Sequence, residues 1–350
     1  MKTVLTTGGL GFIGSHTSIA LLKQGFNVLI IDSLVNSKKE TLGNIKKIAK
    51  QQIGEIEGRI FFREGDLRNQ IWLNSIFEEF KNKNKPIESV IHFAGLKSIE
   101  ESIRCPLKYW ELNINSTLSL LSVMSNFSCN NLIFSSSASV YKENNNQKII
   151  EDTILEPVSP YGNTKLCIEK MLKDMFKSKK DVWKIACLRY FNPVGAHESG
   201  LIGEDPKTNE SNIFPSLIKV IRKELKELSI YGHDYPTKDG TCVRDYIHVM
   251  DLAEAHLATL LHLLENKPKY IYLNIGTGRG LSVLDLVNTF NRVNKCNIPY
   301  KLSERRNGDV PYLVADNSLA LKLIKWTPKK SLEDICSDSW KWFISKKNSS

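Results

Sequence analysis

The chain has 350 residues, of which 41% are hydrophobic and 25% charged, and these proportions are typical of a globular protein with one large domain or two ordinary ones. The apolar runs fall short of the roughly 20 residues that cross a membrane, and the N-terminus lacks the form of a signal peptide, so we expect a cytoplasmic protein. The net charge of +10 arises from lysines spread along the chain rather than from a basic stripe with aromatic residues, which argues against nucleic-acid binding.

The cysteines and histidines do not form a pattern of metal ligands. The seven cysteines lie far apart, without a Cys-x-x-Cys pair, and the seven histidines do not cluster in the sequence. We therefore expect reduced thiols and no metal site.

The N-terminal segment has the pattern of a strand, a glycine-rich turn and a helix. Residues 2–7 read as a short buried strand, Gly8, Gly11 and Gly14 follow, and an amphipathic run extends to Gln24. Glycines at this spacing permit a tight turn and a close approach of the backbone to a pyrophosphate. Because a helix N-terminus also offers free N–H groups to phosphates, the pattern predicts a dinucleotide site.

A second apolar strand over residues 27–31 ends in Asp32, which lies 18 residues after Gly14. A carboxylate at this place can accept hydrogen bonds from a ribose and would repel a 2′-phosphate. The expected cofactor is therefore NAD rather than NADP.

Strands and helices alternate through the rest of the first half. Strands are predicted over 59–63, 89–93, 131–134 and 183–189, and helices over 37–52, 68–82 and 99–127, with a further helix that carries Tyr161. This alternation predicts an α/β fold of the Rossmann type, a doubly wound parallel sheet covered by helices on both faces. Ligands of such sheets bind at the carboxyl ends of the strands, where this sequence has Gly8, Asp32, Asp66, Phe93 and Ser137.

The second half is more mixed. It is irregular to about residue 212, and then a helix is predicted over 213–228, strands over 229–232 and 243–249, a helix over 250–264 and a strand over 271–275. We expect residues 1–190 to form an NAD-binding Rossmann domain and 191–350 to form mainly a smaller mixed α/β substrate domain, with about 240–275 returning to the first. The glycine-rich segment 276–280 lacks the Gly-Lys-Ser/Thr ending of a nucleotide P-loop, and we interpret it as a strand-to-helix turn.

Tyr161 and Lys165 are four residues apart, a spacing that puts both side chains on one face of a helix. A nearby ammonium favours a phenolate and lowers a pKa that is ordinarily about 10, which makes a general base near neutral pH. Ser137, at the end of the strand over 131–134, is a plausible third member. From the residues alone, Ser135 and Ser136 remain alternatives to it.

The most distinctive segments of the chain are residues 7–16, 92–97, 134–141, 159–165, 189–196, 235–241, 243–249 and 305–309. On these segments the chain resembles the extended short-chain dehydrogenase/reductases, and among them the UDP-glucose 4-epimerases, over roughly residues 2–345. The glycine and Tyr-Lys motifs occur across the whole superfamily. The segments Arg-Tyr-Phe-Asn-Pro and Val-Arg-Asp-Tyr-Ile-His are much more specific to the epimerases.

The resemblance implies an NAD-dependent 4-epimerase that interconverts UDP-glucose and UDP-galactose, in galactose and nucleotide-sugar metabolism. Tyr161 would take the proton of the sugar O4 while C4 gives a hydride to NAD, and a 4-keto sugar would turn in the site before the hydride returns. Lys165 would hold the nicotinamide ribose and lower the pKa of Tyr161, and Ser137 would relay the proton. A homodimer formed through a helix bundle is also implied.

Two sets of binding residues follow, partly from strand ends and partly from the resemblance. The cofactor set is Gly8, Gly11, Phe12, Ile13, Gly14, Asp32, Asn36, Ser37, Asp66, Leu67, Phe93, Ala94, Gly95, Lys97, Asn113, Tyr161, Lys165 and Phe191. The substrate set is Lys97, Ser137, Tyr161, Asn192, Asn212, Tyr231, Arg244, Arg306, Asp309 and Leu313. In the second set Tyr231 would stack on uracil, and two arginines suit a diphosphate because guanidinium groups pair phosphate oxygens bidentately.

Leu313 stands where the family places a residue that limits the room for an N-acetyl group. Leucine is intermediate in size, so acceptance of N-acetylated UDP-sugars stays open, although we favour UDP-glucose and UDP-galactose. An NAD-dependent epimerase of another sugar nucleotide, such as a uronate or an N-acetyl sugar, is therefore an alternative.

Two further alternatives belong to other classes of protein. A sugar-nucleotide 4,6-dehydratase would need a pair of carboxylates after Ser137, where this chain has Ala138 and Ser139. A non-catalytic NAD-sensing or nucleic-acid-binding Rossmann protein would have no use for Tyr161 and Lys165.

Overall fold

The computed structural model describes residues 1–143, 147–207, 212–306 and 309–347. The strands are Thr3–Thr7 (β1), Asn27–Asp32 (β2), Ile60–Glu64 (β3), Ile87–His92 (β4), Asn131–Ser137 (β5), Lys184–Tyr190 (β6), Asn192–Val194 (β7), Leu228–Tyr231 (β8), Val243–Arg244 (β9), Tyr246–His248 (β10), Lys269–Ile275 (β11), Leu281–Ser282 (β12), Tyr300–Ser303 (β13) and Tyr312–Leu313 (β14).

The helices lie between these strands in the chain. They are Phe12–Lys23 (α1), Glu40–Ile53 (α2), Gln70–Asn82 (α3), Ile99–Arg104 (α4), Pro106–Asn126 (α5), Pro160–Ser178 (α6), Ile213–Ile221 (α7), Val249–Glu265 (α8), Val283–Asn294 (α9), Ser318–Ile324 (α10) and Leu332–Lys347 (α11), with a 3-10 turn at Ala138–Val140.

Seven strands form one parallel sheet in the order β11-β6-β5-β4-β1-β2-β3. The strand order reverses at β1, which pairs with β2 on one side and with β4 on the other. In open α/β sheets the ligand crevice lies at such a switch point, outside the carboxyl ends of the strands. The prediction of a Rossmann-type doubly wound sheet is confirmed.

Apolar cores cover both faces of this sheet. Along β2, Val28 and Ile30 join the core beneath α1, α2, α8 and α10, whereas Leu29 and Ile31 join the core beneath α3, α5 and α6. Since both faces are buried, each central strand is a continuous apolar run rather than an alternating one. The glycine turn and the helix α6 are therefore fixed on a rigid platform.

The second half of the chain adds smaller sheets and a third core. β9 pairs with β12 and β14, β10 pairs with β7, and β8 pairs with β13. Apolar residues of α7, α9 and α11 pack together with these strands. The strand β11 and the helix α8 belong instead to the large sheet and its core.

The helical region predicted over 99–127 is two helices. α4 ends at Arg104, α5 begins at Pro106, and Cys105 between them has φ −130° and ψ 61°. A residue before proline is disfavoured in the helical region, and proline suits the first position of a new helix. The break follows from this local chemistry.

The helix predicted over 213–228 is too long. α7 ends at Ile221, and Lys223 adopts a left-handed φ of 62°. Residues 222–227 are mostly charged and offer no apolar stripe at helical spacing. Because most helical stability in proteins comes from packing of such a stripe, the helix stops where the stripe stops.

No elements after residue 280 were predicted, and α9 is the clearest that could have been. Ser282 and Asp285 form a capping box at its N-terminus, with each side chain bonded to the other's backbone N–H. The Ser-x-x-Asp spacing is a recognised sequence signal for a helix start. For β13 and β14, which are short, the sequence has no comparable signal.

Three features of the described ranges bear on ligands and location. None of their helices combines the length and apolarity needed to span a bilayer. Their His, Cys, Asp and Glu side chains do not come together in groups of three that could hold a metal ion. The seven cysteines are free thiols.

Candidate active site

A cavity of about 630 Å³ lies at the carboxyl edge of the sheet, with walls from both halves of the chain. Twenty predicted site residues line it: Gly8, Gly11, Phe12, Ile13, Gly14, Asp32, Asn36, Ser37, Asp66, Leu67, Phe93, Ala94, Gly95, Lys97, Ser137, Tyr161, Lys165, Phe191, Asn192 and Asn212. The other predicted residues lie behind its wall or in a second cluster: Asn113, Tyr231, Arg244, Arg306, Asp309 and Leu313.

The glycine turn leaves no room for side chains. Gly8 has a φ of 65°, and a Cβ atom there would lie 2.8 Å from the backbone nitrogen of Ala94. A Cβ atom on Gly14 would lie 2.6 Å from the carbonyl oxygen of Gly8. Gly11, which precedes α1, has no side chain to cap the first N–H groups of the helix. This arrangement fits the pyrophosphate of a dinucleotide.

Asp32 is buried and held by its neighbours. Its Oδ2 accepts a hydrogen bond of 3.0 Å from the backbone N–H of Leu10, and its Oδ1 accepts bonds from the N–H of Leu34 at 2.9 Å and the hydroxyl of Ser37 at 2.6 Å. An ionised carboxylate accepts about four hydrogen bonds. Asp32 therefore keeps capacity for one ribose hydroxyl.

Asp66 lies farther along the same edge, next to the buried side chain of Leu67. Arg68 donates to both carboxylate oxygens of Asp66, and this hydrogen bonding lowers the pKa of Asp66. Asp66 is thus a charged hydrogen-bond acceptor on the cavity wall, which could accept a hydrogen bond from an adenine amine. Arg68 already uses some of the acceptor positions of this carboxylate.

The helix α6 delivers Tyr161 and Lys165 to the floor of the cavity. Ser159 caps the helix by accepting a hydrogen bond of 3.1 Å from the N–H of Gly162. A Cβ atom on Gly162 would lie 2.5 Å from the carbonyl oxygen of Ser139, so this glycine lets the helix start approach the 3-10 turn after β5. Tyr161 and Lys165 are both buried, one helical turn apart.

The three serines at the end of β5 have separate partners. The Ser137 hydroxyl lies beside Tyr161, where it opposes the rise in the pKa of that tyrosine, and it donates a 3.1 Å hydrogen bond to the Ser139 hydroxyl. The Ser135 hydroxyl opposes the rise in the pKa of Tyr190, whose own hydroxyl hydrogen-bonds His256. The hydroxyl of Ser136 points to the opposite face, where it donates 2.5 Å to the buried carboxylate of Glu169. The structure thus brings Ser137, rather than its neighbours, to Tyr161.

The protein alone does not lower the pKa of Tyr161, contrary to our expectation. Burial raises this pKa, and the neighbouring Ser137 hydroxyl and the charge of Lys97 oppose the rise. The ammonium of Lys165 lies 5.8 Å from the Tyr161 ring centroid and donates a 2.7 Å hydrogen bond to the carbonyl oxygen of Ser135. Burial lowers the pKa of Lys165 itself to about 8.

Asn113 lies beneath the cavity wall. Its Oδ1 accepts a 2.8 Å hydrogen bond from the N–H of Leu96, and its Nδ2 donates to the hydroxyl of Thr164 at 3.1 Å. A Cβ atom on Gly95 would lie 3.1 Å from Asn113 Oδ1 and 3.9 Å from Lys165 Nζ. Asn113 therefore ties the loop after β4 to α6, so its effect on a bound cofactor would be indirect.

On the side of the second half, Asn192 and Asn212 line the cavity. The Oδ1 atom of Asn192 is buried and has no hydrogen-bond partner among the described residues. Lys97 and Asn212 each donate a 3.0 Å hydrogen bond to the same oxygen of Glu204. An unpaired buried acceptor in a cavity indicates a place for a polar ligand.

Sequence reasoning missed Glu204 and its neighbour Asp205. Both line the cavity, although they belong to the irregular stretch before Asn212. The local sequence signal at this place is the pair of acids followed by Pro206. This signal predicts a loop, but it does not predict that the loop crosses the cavity.

The remaining predicted substrate residues form a second cluster next to β9 and β14. The guanidinium of Arg306 lies 5.3 Å from the Tyr231 ring centroid and makes two 3.2 Å hydrogen bonds to the carboxylate of Asp309. Arg244 donates to the same carboxylate at 3.4 Å. Within the 305–309 segment, Asn307 and Gly308 lie outside the described residues. The structure thus groups an aromatic face with two guanidinium groups.

Leu313 connects this cluster to the cavity. It pairs with Arg244 across β14 and β9, and it packs against the small core that contains Phe191 and Ala138. Phe191 lines the cavity and Ala138 follows Ser137. A change of side-chain size at position 313 would therefore act on the wall beside the Ser137 hydroxyl.

The glycine-rich segment 276–280 binds an internal carboxylate. Asp245 is fully buried and accepts hydrogen bonds from the N–H groups of Thr277 at 2.7 Å, Gly278 at 2.9 Å and Ala315 at 3.2 Å. The segment joins β11 to β12 and α9, so its interpretation as a strand-to-helix turn is confirmed.

Comparison with known proteins gives consistent matches. Residues 5–339 match the family described as GDP-mannose 4,6 dehydratase. A UDP-glucose 4-epimerase of Cyamopsis tetragonoloba is 45% identical over 343 residues, which cover 97% of this chain and 94% of the relative. The UDP-glucose 4-epimerase of Bacillus subtilis is 43% identical over 345 residues, covering 99% of this chain and 98% of the relative.

A solved structure has the same fold. The crystal structure of UDP-glucose 4-epimerase from Bifidobacterium longum in complex with NAD+ and UDP superposes with a TM-score of 0.91 at 41% sequence identity, and the match covers 99% of each chain.

Proposed function

The chain belongs to the UDP-glucose 4-epimerase family of extended short-chain dehydrogenase/reductases, which are NAD-dependent isomerases, and from this premise we propose that it interconverts UDP-glucose and UDP-galactose. The observation that carries the proposal is the buried Tyr161, which lies beside Ser137 on the floor of the cavity, with Lys165 one helical turn away. The Tyr161 hydroxyl is a proton-transferring group at the carboxyl edge of the sheet, where the nicotinamide end of a bound dinucleotide would lie.

NAD is the cofactor that the residues fit. The close backbone packing at Gly8 and Gly14 and the uncapped start of α1 suit its pyrophosphate, and the carboxylate of Asp32 suits a ribose hydroxyl. The relative from Bifidobacterium longum, which was crystallised with NAD+, supports this choice. When bound, the nicotinamide supplies a reversible hydride acceptor for C4 of the sugar.

In the proposed reaction, Tyr161 takes the proton of the sugar O4 hydroxyl and later returns it. The Ser137 hydroxyl bridges Tyr161 and the sugar oxygen. Lys165 keeps a positive charge near the developing phenolate, and this charge is needed because burial raises the pKa of Tyr161. The 4-keto sugar then turns in the cavity, so that hydrogen returns to its opposite face.

UDP would lie between the cavity and the second cluster. Tyr231 offers an aromatic face for uracil, and Arg244 and Arg306 offer guanidinium groups for the diphosphate. Asp309 holds both arginines in place before the substrate arrives. The B. longum relative contains UDP in its structure, which supports this role.

The two halves would divide these tasks. We propose that residues 1–190 bind NAD and carry the catalytic groups, and that 191–350 mainly bind the UDP-sugar, with about 240–275 returning to the first part. The position of β11 in the large sheet and the packing of α8 on its core support the return.

Exposed apolar side chains support a homodimer. Leu107, Trp110 and Leu118 lie at helical spacing on one face of α5 and are more than a third exposed. Ile103, in the preceding helix α4, is also exposed. A contiguous apolar surface of this kind marks a protein interface in many soluble proteins. Sedimentation of wild-type protein and of Leu107→Glu would test it: a dimer that the variant dissociates supports the proposal, and a monomeric wild type contradicts it.

The decisive experiment supplies the pure protein with UDP-galactose and no added reductant. We expect conversion to UDP-glucose without net reduction of NAD. A second incubation with UDP-N-acetylgalactosamine measures substrate breadth, because Leu313 has intermediate size. Conversion of the N-acetyl sugar alone would favour an epimerase of another sugar nucleotide, and loss of water from the sugar would indicate a dehydratase.

A further inference from the structure

Two adjacent acidic residues from the second half of the chain reach across the cavity to the first half. Glu204 forms a 3.0 Å ion pair with Lys97, in the loop after β4. Asp205 forms a 2.7 Å ion pair with Lys38, in the loop after β2. All four side chains line the same cavity.

The two lysines stand on opposite sides of the switch point. Lys38 follows Ser37, whose hydroxyl binds the ribose-facing Asp32. Lys97 follows the backbone at Gly95, which borders Lys165. Since β2 and β4 flank β1 in the sheet, the acids span the groove in which the glycine turn would hold the pyrophosphate.

We name residues 203–207 the strap. At its start, Gly203 pairs with Ala196, and a Cβ atom on Gly203 would lie 2.6 Å from the indole of Trp342, so the strap rests directly on α11. Lys346 of the same helix forms a second ion pair of 2.9 Å with Asp205. The strap thus has a fixed base.

The far end of the strap also contacts the loop after β2. The backbone N–H of Lys207 donates a 2.9 Å hydrogen bond to Asn36 Oδ1, and its ammonium donates 2.7 Å to the carbonyl oxygen of Leu34. Contacts with this loop therefore continue beyond the ion pair of Asp205.

We propose that the strap retains NAD in the groove and that Glu204 and Asp205 are the residues that fasten it. The inference rests on the proposed function. An epimerase ends each turnover with its cofactor in the starting state, so release of NAD serves no step of the reaction. The sugar nucleotide, in contrast, must leave. Residues 203–206 of the strap line the cavity together with the glycine turn, whereas Tyr231 and Arg306 do not line it.

The exposure of these pairs determines how they respond to salt. The side chains of Lys38 and Asp205 are 37% and 30% exposed, and that of Lys97 is 43% exposed, against 8% for Glu204. Ion pairs that reach solvent are weakened by added salt. Release of NAD from the wild-type protein should therefore accelerate as ionic strength rises.

The test measures the rate of NAD release from the purified holoenzyme, with an NAD-hydrolysing enzyme in excess to trap what dissociates. The variants are Glu204→Gln, Asp205→Asn and the double variant. Glu64→Gln is the matched control, because it removes the exposed ion pair with Lys39, next to Lys38 but outside the cavity. If Asp205→Asn does not fold, Lys38→Met removes the same pair.

We expect each single variant to release NAD about three- to fivefold faster and the double variant about tenfold faster, with the control unchanged. Raising salt from about 0.05 M to about 0.5 M should speed release from the wild type but hardly from the double variant. Equal release rates in the double variant and the control, or a wild type that is insensitive to salt, would overturn the strap alone. A wild-type protein that holds no NAD would overturn the proposed function and the strap with it.

Discussion

Lys165 donates a 2.7 Å hydrogen bond to the backbone carbonyl oxygen of Ser135. The ammonium also lies 4.8 Å from the Phe134 ring centroid, so it is held by neutral groups of β5 rather than by a carboxylate. Burial lowers the pKa of Lys165 to about 8, and the charge of Glu169, one turn farther along α6, raises it. The charge next to Tyr161 is therefore lost within the range of pH in which enzymes are assayed.

The pH dependence of activity should show this loss. Because the charged form of Lys165 disappears as pH rises through its pKa of about 8, we expect kcat/KM for UDP-galactose to fall above that pH. In Lys165→Arg the charge persists, so whatever activity remains should not decline until higher pH. Profiles of both proteins, with bound NAD quantified at each pH, measure the effect. An identical decline of kcat/KM at alkaline pH in the two proteins would show that deprotonation of Lys165 does not cause it.

Removal of the Tyr161 hydroxyl should abolish turnover while leaving the site intact. Since a positioned general base contributes about 10²–10⁴-fold to a rate, we expect Tyr161→Phe to lose at least that factor in kcat and to retain NAD. The measurement is epimerisation of UDP-galactose together with the NAD content of the purified variant. Tyr300→Phe, at an exposed tyrosine of β13, is the control and should match the wild type. Near-normal turnover in Tyr161→Phe would refute the proposed mechanism.

Residue spacing predicted the parts of the site that lie on regular elements. The glycine turn and Asp32 belong to a strand-turn-helix-strand unit, and Tyr161 and Lys165 to one helix face, so sequence distance translated directly into spatial distance. The pKa of Tyr161 could not be predicted in this way, because it depends on burial, which spacing does not reveal. Its direction proved opposite to our expectation.

The strap shows the other limit of sequence reasoning. Glu204 and Asp205 belong to an irregular stretch without hydrophobic periodicity, and their lysine partners are more than a hundred residues away in the chain. Nothing local determines where such a stretch crosses the cavity. The helix α11 was not predicted from the sequence, and the strap rests on Trp342 of that helix. The base of the strap therefore could not be inferred.

Two glycines that look alike in the sequence should respond oppositely to alanine. Gly8 has a left-handed φ of 65°, and a Cβ atom there would meet the backbone of Ala94 at 2.8 Å. A Cβ atom at this position would force the glycine turn to shift from the place where it would hold the pyrophosphate. We therefore expect Gly8→Ala to weaken NAD binding at least about tenfold, a loss of about 1.4 kcal/mol. Titration of NAD into protein from which bound NAD has been removed measures this loss. Unchanged affinity would contradict the inference that the glycine turn holds the pyrophosphate.

Gly43 is the matched control for Gly8. It lies inside α2, and a Cβ atom there would find no other atom within 4 Å. Alanine in a helix interior is about 0.5–1 kcal/mol more favourable than glycine. We expect Gly43→Ala to raise the free energy of unfolding by about that amount and to leave NAD affinity unchanged.

The stability of the platform beneath Tyr161 depends on a buried ion pair between α6 and β6. Arg189 donates to both carboxylate oxygens of Glu169, at 3.0 and 2.7 Å, and its other nitrogen donates to Tyr141 and to the carbonyl oxygen of Glu151. Loss of one partner would leave a buried charge unpaired. We expect Arg189→Met to lower the free energy of unfolding in urea by about 3–5 kcal/mol.

Adding Glu169→Gln to Arg189→Met should recover part of this loss, because the unpaired carboxylate is then removed, and the coupling should exceed about 1 kcal/mol. Arg292→Ala serves as the control, since its ion pair with Glu333 is exposed and should contribute less than about 1 kcal/mol. If the double variant is as unstable as the sum of its single variants, Glu169 and Arg189 act independently and the ion pair does not hold α6 to the sheet. If it recovers stability, the ion pair fastens α6 to β6 two helical turns from Tyr161, on the same helix that carries the reacting hydroxyl.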